Sequence, residues 1–400
     1  MIKGLIWLIV AYSLSQFYRA CLAVFAPVLK TEIGLEADQV STALGIWFLI
    51  FAAMQIPVGW LLDHWSPRKL ATILLTVGGG GGALALSMAQ GPWGIYIAMG
   101  LIGIGCSPVL MTAFYIFARS APTDRFGTLA GLVVGLGSLG NLAASAPLSW
   151  TMSLIGWRGA CLVLAGITVF VALALYKFVA DPPAVDHSDE TKGGGLLDLL
   201  SIWPLYPILV MAAVAYAPSA GLRGSWAGGY LSDLYGLDAE GIGRVTFFMA
   251  LSMIAGALAF GPMDRIIRSR KHIVLIGTLL ALGCLVWLWL GAGTQSVWHI
   301  SALLVGIGFF GSAYGQIMNP GRMLMPAHLT GRGVSLINLF SIGGVGVSQI
   351  ATARLFRASL TDDATTYQGY TSVFAFFSLA LAAGTVIYLF SSDTISKSNT

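Results

Sequence analysis

Twelve runs of apolar residues dominate this 400-residue chain, each close to the length of about twenty that a helix needs to cross a bilayer. They lie near 4–29, 41–62, 70–90, 94–118, 128–149, 157–178, 204–230, 243–262, 273–293, 297–320, 333–353 and 370–391. Hydrocarbon offers no hydrogen bonds, so such a run must satisfy its own backbone and is read as a helix. An all-α membrane protein is the expected fold class. Only 10% of the residues are charged, against about 25% in ordinary soluble domains. The first run begins Met-Ile-Lys and continues too long for a cleavable signal, so it is read as the first membrane helix. Cys21, Cys106, Cys161 and Cys284 all lie inside apolar runs and read as small hydrophobes. No nucleophile–base pair, metal cluster or basic patch is evident. An enzyme, a cofactor, a metal site and nucleic-acid binding are therefore not expected.

The central break at 180–203 carries Pro182-Pro183, a polar Asp186–Glu190 run and Gly193–Gly195, the composition of a flexible linker. It separates six apolar runs at 1–179 from six at 204–400. Cations favour the cytoplasmic ends of spans. With both termini cytoplasmic, fourteen Lys and Arg fall inside, five outside, and two, Arg19 and Arg223, on neither side.

Those two arginines sit in repeated surroundings. Ala11–Asp38 and Ala215–Glu240 both begin Ala-Tyr, both place one Arg seven residues after that Tyr, and both close with Gly-Leu and an acid. Gly103-Ile-Gly105 likewise matches Gly306-Ile-Gly308, and Arg119 matches Arg322. The halves are read as a duplication, the build of many secondary transporters. A cation within a span is costly and marks a ligand or ion path by default. All 17 acidic residues fall in the expected loops, so no span supplies a carboxylate to either arginine. A bound anion is the natural counterion, because a guanidinium fork matches carboxylate or phosphate oxygens in pairs. The alternative is structural, each Arg being held by helix-end carbonyls. No His, Asp or Glu sits mid-span, so a proton relay within the protein is not expected.

Residues 59–69, GWLLDHWSPRK, lie between the second and third runs. They resemble the GxxxDRxGRR signature of the major facilitator superfamily, with His64 and Pro67 standing where Arg is usual. A degenerate second copy holds Asp264, Arg268, Arg270 and Lys271. The resemblance covers the whole chain and implies two pseudo-symmetric six-helix bundles in a bacterial inner membrane, a monomer, and transport by alternating access. It also implies a cytoplasmic gate, onto which Asp63, Arg68, Arg119 and Asp264 are carried. Spans 1, 4, 7 and 10 would line the substrate path. Their polar and aromatic residues are the candidates: Arg19, Arg223, Tyr12, Gln16, Tyr18, Tyr115, Tyr216, Trp226, Tyr314, Gln316 and Asn319. Paired arginines in spans 1 and 7 also resemble the superfamily's phosphate antiporters, by position alone. The drug-antiporter signature lacks its Pro in span 5, and the glycines there, Gly135, Gly137 and Gly140, read as close-packing surface together with Gly343, Gly344 and Gly346 in span 11. The expected function is transport of a small anion, an organic carboxylate first among them. An exporter of hydrophobic or cationic compounds and a non-transporting sensor stand as alternatives.

Overall fold

The computed structural model describes residues 2–120, 123–182, 201–261, 263–267, 269–291, 295–317, 330–360 and 366–391. The regular secondary structure among those residues is entirely helical, with no strand. Among the described residues, ten helices are long and apolar enough to cross a membrane, or eleven when the bent pair Gly4–Tyr18 and Leu22–Ile33 counts as one span. The expected count was twelve, and the difference arises within 128–178. There the fifth run is divided into Thr123–Gly137 and Leu139–Ala143, and Ala146–Phe178 follows as a 33-residue helix. Gly156 interrupts that helix at φ 71° and ψ 168°, a conformation open to glycine alone without strain. The turn between the fifth and sixth runs therefore lies at Gly156, within the gap at 150–156 left between them. The tenth run also ends differently: its α-helix stops at Gly311 and continues as the 3-10 segment Ser312–Ile317.

The helices turn large apolar side chains outward. Leu258, Leu290 and Phe390 are 72%, 75% and 82% exposed, which water would penalise at about 25 cal/mol per Å² and lipid does not. Trp93 and Trp298 are exposed in the first turns of Pro92–Ser120 and Val297–Gly311, the helix-end placement of membrane-interface tryptophans. This is a multi-pass membrane protein.

The chain divides into two compact units. One is Met1–Val185 with Gly224–Ser232 and Gly236–Phe247; the other is Asp186–Arg223 with Asp233–Tyr235 and Phe248–Thr400. Within each unit the Gly-Ile-Gly of the long fourth helix straddles two neighbours of its own unit. A Cβ on Gly103 would stand 2.9 Å from the Trp47 carbonyl, and one on Gly105 would strike the backbone of Gly78 and Gly79. A Cβ on Gly308 would stand 3.0 Å from the Met249 carbonyl, and one on Gly306 3.1 Å from the Cys284 sulfur. Without a hydrophobic drive between helices, backbones that approach this closely gain association through dispersion. Gly137 packs on the Tyr12 ring and Gly140 on the Ser13 backbone, while Gly344 packs on the Ala213 backbone. Gly135 has nothing within 4 Å, so its expected packing role is corrected: it falls on the open side of that helix.

The repeated Gly-Leu-acid ending has a physical meaning. Gly34 and Gly236 are both left-handed, at φ 66° and 63°. In each case the glycine N–H reaches the carbonyl four residues back, and the following leucine N–H reaches six back, Leu35 to Leu29 and Leu237 to Leu231. That pairing is a left-handed glycine stop, one residue wider than the Schellman motif, and it satisfies the last carbonyls of a helix. The acid then starts the next helix. Glu36 and Gln39 form a reciprocal capping box, and Asp238 Oδ1 accepts the Gly241 N–H at 2.9 Å. Because the second stop lies at Gly236, the helix before it runs to Tyr235. Asp233, expected in a loop, is therefore helical, and its Oδ2 accepts the Tyr370 hydroxyl at 2.7 Å.

Candidate functional site

Arg19 and Arg223 both lie at irregularities of their helices. The first span bends by 45° between Tyr18 and Leu22, and Arg19 stands at the bend. Arg223 lies in Leu222–Trp226, a π turn within the membrane-length helix Trp203–Tyr235. Insertions of this kind displace backbone groups from the α ladder and concentrate at functional positions. Arg19 is 9% exposed and Arg223 4%, so both guanidinium groups are held away from solvent.

The surroundings of Arg19 were legible only in part. Its Cζ lies 5.2 Å from the Trp47 ring centroid and 5.4 Å from that of Phe51. Those rings stack on each other at 4.9 Å with an interplanar angle of 19°. A desolvated cation over an aromatic face gains about 2 kcal/mol, which offsets part of the cost of burying the charge. The face offers no lone pair to the in-plane N–H groups, whose natural partners are oxygen acceptors. Trp47 and Phe51 were not among the residues singled out from the sequence. Their spacing of four on one apolar helix is the signal that could have found them.

The other expected residues distribute as follows. Tyr12 and Gln16 are one turn apart and joined, with Gln16 Nε2 donating to the Tyr12 hydroxyl at 2.9 Å. Tyr18 is fully buried and its hydroxyl shares a 2.7 Å hydrogen bond with Thr168 Oγ1, which ties the first span to Ala146–Phe178. Tyr216 and Tyr314 stack at 4.3 Å, bringing the seventh and tenth runs together. Trp226 is fully buried in the turn that carries Arg223. Gln316 is half-buried in Ser312–Ile317, and Asn319 lies outside the described residues. Tyr115 lies beneath Arg119, whose Cζ stands 4.3 Å from its ring, and against the apolar cluster of Val58, Leu62 and Leu70.

In the signature stretch, Asp63 lies in the last turn of Ala37–His64 and Asp264 in Met263–Ile267. Arg68 is more fully defined. The Asp181 carboxylate accepts the Ser66 hydroxyl at 2.6 Å and the Arg68 N–H at 3.0 Å, and its Oδ2 lies 3.5 Å from Arg68 Nε. The guanidinium also donates to the Tyr176 carbonyl at 3.3 Å and lies 4.9 Å over the Tyr176 ring. Asp181 thus supplies negative charge at the N-terminus of Pro67–Leu74, where the helix dipole favours it. With both side chains about 30% exposed, water discounts the ion pair. Asp181→Ala is expected to cost about 1 kcal/mol, read as a lowered melting temperature whose deficit shrinks in high salt.

A second polar clasp lies elsewhere in the same unit. Glu32 Oε2 accepts the Trp157 indole N–H at 2.7 Å and the Arg158 guanidinium at 2.5 Å, and Arg158 also donates to the Ala89 carbonyl. It anchors Leu22–Ile33, the segment that follows the bend at Arg19, to the start of the sixth run.

The family model described as Major Facilitator Superfamily matches residues 8–349. The chain belongs to that superfamily. Among curated members, it is 23% identical over 274 residues to the probable sulfoacetate transporter SauU of Cupriavidus necator, covering 64% of this chain and 62% of that protein. A probable L-galactonate transporter of Escherichia coli is 24% identical, covering 61% and 57%. A quinolone resistance transporter of Acinetobacter baumannii is 25% identical, covering 44% and 41%. The matched stretch spans about six-tenths of the first two superfamily relatives. Among solved structures, a POT family transporter in complex with 5-aminolevulinic acid superposes with a TM-score of 0.76 at 15% identity, covering 97% and 96%. A bacterial homologue of the human lysosomal transporter Spinster, inward-facing and occupied, gives 0.71 at 17% identity, covering 97% and 96%. At these identities the superpositions speak for the superfamily fold.

Proposed function

We propose that this superfamily member transports a small organic anion by alternating access, with Arg19 and Arg223 as its charged recognition groups. One observation carries the reading: two arginines at matching places of a duplicated chain, each buried at an irregular turn within a membrane span. Burying a guanidinium costs several kcal/mol after relaxation. Oxygen anions are the ligands whose geometry returns that cost, through paired charge-assisted hydrogen bonds. Sulfoacetate and galactonate, named for two relatives, are both organic acid anions, which agrees with this class. The substrate is placed here as an organic acid anion, carboxylates first.

The test is ligand-induced thermal stabilisation of the purified chain. The panel contains acetate, sulfoacetate, galactonate and inorganic phosphate, with a lipophilic cation and a quinolone as the opposed class. A ligand that binds only the folded state stabilises it by about 2.7 kcal/mol at one hundred times its Kd. Stabilisation by one or more of the anions is expected. A response confined to the cation or the quinolone would sink the anion reading and favour the exporter suggested by the resistance relative.

A further inference from the structure

We propose that Gln349 is a positioning residue for Arg223, its carboxamide fixing the register of the turn that carries the arginine. Gln349 lies in Thr330–Ser359 and is fully buried, a costly place for an amide unless it meets hydrogen-bonding groups. Its Nε2 donates to the Gly221 carbonyl at 3.4 Å. Gly221 is the last residue of Ala217–Gly221, and the π turn Leu222–Trp226 begins directly after it.

The approach depends on residue 221 being glycine. A Cβ there would lie 2.8 Å from Gln349 Oε1 and 3.0 Å from Phe377 Cζ. Two residues earlier, the Ser219 hydroxyl donates to the Ile307 carbonyl at 3.0 Å. Two helices of the second unit therefore hold the segment just ahead of Arg223, Val297–Gly311 through the Ser219 side chain and Thr330–Ser359 through the Gly221 carbonyl.

The grip matters because of what a π turn is. It holds one residue more than the α ladder accommodates, and it can slide along a helix by exchanging hydrogen bonds. A slide of one residue turns the following side chain by about 100° about the helix axis. That is enough to carry the Arg223 guanidinium from one helix face to another. Sequence alone did not single out Gln349, since one amide in an apolar run reads as helix packing. Its target is what distinguishes it: a carbonyl at the entry of the turn that bears the buried cation.

The effect on anion affinity rests on the anion reading above, whereas the positioning itself does not, and the experiment separates the two. Arg223→Cys is labelled with a small charged thiol reagent in three backgrounds: native, Gln349→Met and Gly221→Ala. The Met change keeps the volume and removes the donor, while the Ala change presses on the same contact from the other side. A several-fold change in labelling rate is expected in both backgrounds, and an unchanged rate in folded protein overturns the proposal. For an anion that stabilises the native chain, Gln349→Met should raise Kd on the order of tenfold. In an Arg223→Gln background the same change should add nothing, because the two act through one contact. A Gln349→Met loss of equal size in both backgrounds means that the glutamine does not work through Arg223, and the proposal fails. Should no anion stabilise the native chain, the anion reading fails and the labelling rate alone decides the role of Gln349.

Discussion

Arg223→Gln is expected to weaken anion binding by about 2–4 kcal/mol, or roughly 30- to 1000-fold in Kd, the usual loss when one member of a buried charge pair is truncated. Glutamine keeps much of the length and some hydrogen-bonding capacity but removes the charge and the fork. At an anion concentration that stabilises the native chain by about 2.7 kcal/mol, a hundredfold weaker variant would gain only about 0.4 kcal/mol. Arg19→Gln should fall in the same range. Arg19→Lys should be intermediate, since the charge survives while the flat contact with Trp47 and Phe51 and the paired N–H geometry do not. If both Gln variants respond to the anion as the native protein does, the arginines are structural and the proposed recognition is wrong.

Gly105→Ala should damage folding far more than its one added methyl suggests. That methyl would strike the Gly79 N–H and come within 2.6 Å of the Gly78 carbonyl carbon. Both neighbours are backbone and cannot rotate aside. The helices Pro67–Ser87 and Pro92–Ser120 would have to separate along their contact. Overpacking of this kind costs 1–3 kcal/mol when side chains can yield. With backbone on both sides, a loss of about 3 kcal/mol or more is expected, seen as reduced monodisperse yield and a lower melting temperature. Gly81→Ala is the matched control. It lies in a run of five glycines, Gly78 to Gly82, of which it alone has nothing within 4 Å. Within a helix that change should be neutral or stabilise by about 0.5–1 kcal/mol. Equal losses in the two variants would show that the close approach at Gly105 is not what the fold depends on.

The glycine run shows why some of this chain could be read directly and some could not. Five consecutive glycines look like a loop by composition, yet they form a π turn and the start of an α-helix inside a span. Four of them face partners and one does not. No periodic pattern announces this, because the side of the helix that meets lipid is as apolar as the side that meets protein. The same blindness hid the aromatic rings on another span that face Arg19, and placed Gly135 with the packing glycines. It also hid Asp181, which reaches the helix start at Arg68 across 113 residues of sequence. The bond between the Tyr18 hydroxyl and Thr168 was hidden for the same reason.

The sequence by itself determined the membrane class, the duplication and the presence of two cations where hydrocarbon penalises charge. Each of these depends only on local composition set against a uniform solvent, so each survives without knowledge of contacts. It also held the twin helix stops at Gly34 and Gly236, since a left-handed cap is a demand made by a few neighbouring residues. Tertiary structure alone decided which glycines touch backbone, which rings surround Arg19, and which amide holds the turn at Arg223. In lipid the apolar surroundings on every side of a helix are energetically alike, so only the packing itself distinguishes one face from another.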